Sequence, residues 1–168
     1  MNAGPLLMIV LVQSLFVANS TMPELKTKPA VILNETASMA KGLYVRLGEV
    51  ADLKRGDIIA MPMNSTARNY LVKKLGYPKD TMLIKRVAGL SGDLVCRQGS
   101  VVTINQRTLV AASSDRQGIP LPAWHGCRTL STNEVFILGD HPSSFDSRYL
   151  GPVSRSELAG IYRAGVTW

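Results

Sequence analysis

The sequence predicts a mainly β protein built from short antiparallel strands, with a small peripheral insertion and an apolar N-terminal leader or anchor helix. Three observations carry that expectation. The apolar runs are short and rich in β-branched residues. Turn residues separate them at frequent intervals. Only two stretches read as helix after the N-terminus. In 168 residues, 46% hydrophobic and 18% charged, such strands bury one ordinary core, so a disordered or collagen-like chain is excluded.

Residues 1–22 contain no Lys, Arg, Asp or Glu, and residues 5–18 are nearly continuous apolar sequence. The run falls between a signal-peptide core of about 7–15 residues and a bilayer span of about 20. We read 1–20 as a signal peptide or membrane anchor, with small residues at Ala18, Asn19 and Ser20 where cleavage would fall. A buried core helix is the other reading. Residues 21–168 form the folded domain, with about 94–130 as its peripheral insertion.

The strand-like runs are 31–33, 58–61, 82–84, 94–96, 101–104 and 135–138. Gly-Asp pairs at Gly56-Asp57, Gly92-Asp93 and Gly139-Asp140 mark three strand boundaries, where glycine would relax a tight reversal. Residues 67–75 read as a helix stopped by Gly76 and Pro78. Residues 113–126 read as an irregular loop. A second short helix is expected at 154–159, where Ser154 and Glu157 have the spacing of a capping box.

Charge and cysteines leave more open. Lys and Arg number 19 against 12 Asp and Glu, a net charge of +7, which suits nucleic acid, an anionic membrane surface, or no special partner. Aromatics at 6% disfavour a base-stacking platform, and no helix-turn-helix or RNA-binding signature is present. If the chain is exported, the basic excess is better read as lying beside anionic lipid, and no nucleic acid is expected. In an oxidising compartment Cys96 and Cys127 could close a loop of about 30 residues, stabilising by roughly 3 kcal/mol. Two buried free thiols is the alternative. With no Cys-x-x-Cys and only His125 and His141, no metal or other cofactor is expected.

Three segments carry hydroxyl, amine and carboxylate chemistry. Ser38 lies among small residues in 34–44, open to a substrate backbone. Lys85 follows an apolar strand and sits near small residues, and burial there would depress its pKa. A neutral lysine can then take a proton from a serine hydroxyl. Residues 139–149 crowd hydroxyls, two carboxylates and a guanidinium into one turn. Separately, each is more often a polar loop, a solvated strand edge or a hydrogen-bonded turn.

Together and in order, Ser38-Met39, residues 84–93, and Gly139-Asp140 with residues 144–148 resemble the bacterial signal peptidase I family. The resemblance spans about Val31 to Val153. It implies a membrane-anchored serine peptidase of mainly antiparallel β fold using a Ser-Lys dyad. By that resemblance Ser38 is the nucleophile and Lys85 the general base. Thr36 joins the Ser38 N–H in the oxyanion hole, and Ser144 hydrogen-bonds the lysine amine. Asp146 and Arg148 form an ion pair supporting the loop, with Asp140 in the same supporting segment.

The sequence departs from the family where Pro-x-x-Ser-Met-x-Pro-Thr is common, having Ala40-Lys41-Gly42-Leu43-Tyr44 after Ser38-Met39. It also has His141-Pro142 after Gly139-Asp140. Ser-Met-x-x-Gly-x-Tyr and the loop 115–124 look like the conjugative-transfer (TraF-type) branch. That branch implies processing of a conjugative pilin precursor at the periplasmic face of the inner membrane, required for plasmid transfer. In some members the pilin ends are joined into a ring. Other mating-pair formation components are then expected partners. Two further readings stay open: a general leader peptidase cutting many exported preproteins, and an inactive membrane-tethered module that binds pilin.

Overall fold

A computed structural model describes residues 28–168. The leader or anchor assigned to 1–20 lies outside the described residues. Among those described, no helix is long and apolar enough to cross a membrane.

Among the described residues, eleven strands form two antiparallel sheets. The larger contains β1 (Val31–Asn34), β2 (Gly42–Gly48), β3 (Ile58–Pro62), β4 (Met82–Gly89), β9 (Glu134–Leu138), β10 (Val153–Ser154) and β11 (Gly160–Thr167). Their order is β1-β2-β11-β3-β4-β9-β10. The smaller contains β5 (Leu94–Gln98), β6 (Val101–Ile104), β7 (Arg107–Val110) and β8 (Gly126–Thr129), ordered β7-β6-β5-β8.

The central strands explain the continuous apolar runs. Ile59, Met61, Leu83, Val87, Val135 and Ile137 pack in one cluster with Tyr70 and Leu71. Ala60 and Ile84 pack in another with Ile32, Met39, Tyr44 and Tyr162. A third cluster joins Phe136 and Leu138 of β9 to Val95, Val102 and Ile104 of the smaller sheet. Strands covered on both faces need apolar residues at successive positions rather than alternate ones.

Several expectations are corrected. The first helix, α1 (Ser65–Ala67), begins after Asn64, whose side chain accepts from the Ala67 amide at 3.0 Å. It widens into a π-helical turn over Arg68–Val72 rather than running as an α-helix to 75. The expected helix at 154–159 is one 3₁₀ turn, Arg155–Glu157. Ser154 Oγ accepts from the Ser156 amide at 3.3 Å, and among the described residues Glu157 Oε2 has no partner, so the reciprocal half of a capping box is not formed. The chain leaves the turn at once because the Ala159 amide donates to Ala60 O at 2.8 Å, drawing it into the sheet. Gly56 and Gly92 do adopt φ of 90° and 88°, the left-handed reversal. Gly139 does not, and its role is different.

Cys96 and Cys127 face each other in the β5–β8 register and are joined as a disulfide. β8 has four exposed residues and, among the described residues, one sheet neighbour, so its attachment depends on that link more than on burial. Reduction is expected to lower unfolding free energy by about 3 kcal/mol, read as a lower urea midpoint with dithiothreitol present.

Candidate active site

Ser38 is delivered by the turn between β1 and β2. Its hydroxyl is half-buried, and Lys85 Nζ from the middle of β4 donates to Ser38 Oγ at 3.1 Å. Lys85 is 3% exposed and also donates to Ile84 O at 3.0 Å. Burial pulls its pKa from 10.5 down to about 8; Asp146 opposes the fall and Arg148 assists it. The strand therefore places an amine that loses its proton readily against a half-buried hydroxyl.

Thr36 Oγ1 lies 2.9 Å from Ser38 Oγ and donates to Asn34 Oδ1 at 2.8 Å. The structure thus brings Thr36, Ser38 and Lys85 together. Asp146 and Arg148 pair as the sequence suggested, with Arg148 Nη2 donating to Asp146 Oδ2 at 2.8 Å and Nε to Oδ1 at 2.9 Å. Asp146 is fully buried and caps α2 (Ser147–Leu150), accepting from the Arg148 amide at 3.1 Å. It also accepts from the Gly139 amide at 2.9 Å. Arg148 donates to the carbonyls of Pro142, Ser144 and His141, so one ion pair ties down the whole turn after β9.

Asp140 supports the site through its backbone. Its amide donates to Ser38 O at 2.8 Å, while its carboxylate receives Arg86 Nε and Nη2, each at 2.9 Å. That guanidinium holds the Asp140 carboxyl below the usual carboxylate range. Ser144 is a correction: among the described residues its buried hydroxyl has no hydrogen-bond partner, so it makes no bond to Lys85. The Ser144 side chain instead fills the space over Gly139. A Cβ on Gly139 would stand 2.1 Å from Ser144 Oγ and 2.7 Å from Ser38 O. Glycine here permits close approach, and Gly139→Ala is expected to cost about 1–3 kcal/mol and to displace Ser38. Urea denaturation and cleavage assays of the variant check both effects.

The Cys96–Cys127 bond lies on the smaller sheet. Its neighbour Arg97 is buried and donates to the Arg148 carbonyl, linking that sheet to α2. The contacts of two further residues were not read from the sequence. Asn34 sits at the inner end of β1, where the signal was a polar residue in phase with buried Ile32. Tyr44 holds the serine turn by donating its hydroxyl to Ala40 O at 2.7 Å.

The signal peptidase (peptidase S26) family pattern matches residues 3–168. The chain belongs to that family. The match includes every site residue described above. Among curated relatives of this family member is a plasmid transfer protein TraF of Escherichia coli, 29% identical over 171 residues, covering 95% of this chain and 90% of the relative. A second Escherichia coli plasmid transfer protein TraF is 28% identical over 140 residues, covering 79% and 74%. A signal peptidase I crystal structure from Enterococcus faecalis V583 is 25% identical, with a TM-score of 0.37, covering 64% of this chain and 94% of that one. The assignment of this serine peptidase to its family rests on the sequence match.

Proposed function

We propose that this signal peptidase family member is a Ser-Lys endopeptidase that processes a conjugative pilin precursor at the periplasmic face of the inner membrane. The observation that carries the proposal is the buried Lys85 amine 3.1 Å from Ser38 Oγ, with its pKa lowered to about 8. The role in conjugation is supported by the likeness to the two plasmid transfer proteins, and the pilin substrate is what the resemblance to the conjugative-transfer branch implies.

The chemistry follows from these positions. Among the described residues β1 is one of the two edge strands of the larger sheet, and it leads into the Ser38 turn, so an extended peptide laid along it brings a carbonyl to Oγ. Neutral Lys85 takes the Ser38 proton as Oγ attacks that carbonyl carbon. Negative charge gathers on the former carbonyl oxygen, where the Ser38 amide and Thr36 hydroxyl donate to it. Collapse breaks the peptide C–N bond, and Lys85 returns the proton to the leaving amine. Lys85 then takes a proton from water, or from a second amine held closer than water, as it attacks the acyl carbon. The ester bond to Ser38 Oγ breaks, Lys85 returns the proton to Oγ, and the amine route joins two ends.

The test is mass spectrometry of the candidate pilin with and without this protein. A cut linear product and a ring differ by one water. Cleavage should be lost in Ser38→Ala, and full processing by that variant would sink the proposal. Thr36→Val should lose about 2–4 kcal/mol of transition-state stabilisation, read as a fall in kcat/KM. An unchanged rate removes Thr36 from the oxyanion hole.

A further inference from the structure

The Asn34 carboxamide does more than end a strand. It is 7% exposed, and a buried amide must have its donors and acceptor matched. Nδ2 donates toward Thr36 O at 3.0 Å, Met39 O at 3.2 Å and Ala40 O at 3.0 Å. Oδ1 accepts from the Thr36 amide at 3.3 Å and the Thr36 hydroxyl at 2.8 Å. Carbonyls gather on one side of the amide and an N–H and an O–H on the other, which fixes its orientation. One side chain therefore grips the serine turn on both shoulders of Ser38.

It also ends a continuous line of polar atoms. Asn34 Oδ1, Thr36 Oγ1, Ser38 Oγ and Lys85 Nζ follow one another at 2.8, 2.9 and 3.1 Å. A threonine hydroxyl has one proton. While Thr36 spends it on Asn34, Thr36 offers only lone pairs to Ser38. Without that acceptor, the Thr36 proton would turn to Ser38 Oγ and occupy the lone pair that must attack.

We propose that Asn34 is a positioning residue: it clamps the nucleophile turn and holds the Thr36 hydroxyl away from Ser38 Oγ until charge develops on the substrate oxygen. The Thr36 proton then swings from Asn34 Oδ1 to that oxygen, with no bond made or broken in Asn34 itself. This inference rests on the Ser38–Lys85 reading of the site.

The experiment measures kcat and KM across pH for the full-length protein on a pilin-precursor peptide. The variants are Asn34→Ala, Asn34→Asp, Thr36→Val and the Asn34→Ala/Thr36→Val pair, with Ser38→Ala as control. Asn34→Ala is expected to lower kcat about 100-fold with little change in KM. In the Thr36→Val background the same change should cost about tenfold or less, because the hydroxyl it governs is gone. Asn34→Asp retains the acceptor and adds a negative charge near the dyad. That charge favours protonated Lys85, so the activity midpoint should move to higher pH.

Equal costs of Asn34→Ala in both backgrounds, or an unmoved midpoint in Asn34→Asp, overturn the inference. If Asn34→Ala does not fold, the pH midpoint of Asn34→Asp decides alone. Cleavage surviving in Ser38→Ala strikes the dyad reading, and this inference falls with it. Cleavage lost there, with Asn34 uncoupled from Thr36, strikes this inference alone.

Discussion

Lys85→Met is expected to reduce cleavage by a factor of at least about 10²–10⁴, the usual contribution of a positioned general base. Methionine preserves most of the stem's volume and removes the proton acceptor. The same variant should be at least as stable as the parent at neutral pH. Lys85 has a folded-state pKa of about 8, below the ordinary 10.5. Between those values the unfolded chain holds a proton that the folded chain has released. The Lys85 contribution to stability therefore rises with pH across that window and is unfavourable below it. Loss of activity without loss of stability separates a reacting group from a structural one. Urea denaturation of both proteins at neutral pH, beside the cleavage rate, checks the pair of outcomes.

Asp146→Asn carries the largest expected stability cost. The Asp146 and Arg148 side chains are 0% and 7% exposed, so neutralising one leaves the other buried and uncompensated. Breaking such a pair costs about 3–5 kcal/mol. The loss should spread, because Asp146 also receives the Gly139 amide and Arg148 holds three carbonyls of the following turn. The double variant Asp146→Asn/Arg148→Met should recover part of the cost by removing the stranded cation. Asp146 also favours protonated Lys85, whereas Arg148 opposes it. Residual activity in Asp146→Asn should therefore have its midpoint at lower pH than the parent. Denaturation midpoints and a pH–rate profile measure the two consequences.

The sequence made the site more legible than the fold. Ser38 and Lys85 stand in segments whose residue order is distinctive, and burial of Lys85 followed from the apolar run around it. The central strands were readable because both faces are covered, leaving unbroken apolar runs at 58–61 and 135–138. β8 and β11 were not readable. β8 is Gly-Cys-Arg-Thr with every residue exposed, and is held by pairing and its disulfide. β11 mixes Gly and Arg into its pattern, yet pairs with both β2 and β3, so its strand character comes from neighbours distant in sequence.

The same limit applied to polar side chains. The partners of Asn34 follow only from how the turn folds over it. The placement of Ser144 depends on its side chain packing over Gly139, a contact no local pattern encodes. Asp140 illustrates both outcomes: the sequence placed it beside the site, while its carboxylate is engaged by Arg86 and its amide holds Ser38.

The most direct test of the central claim is an NMR titration of the Lys85 side chain in the full-length protein, set against the pH dependence of kcat/KM. Lys85 is expected to lose its proton near pH 8, with cleavage rising through the same midpoint. A Lys85 that stays charged up to its ordinary value of 10.5, in a protein already cleaving at full rate at neutral pH, would contradict it.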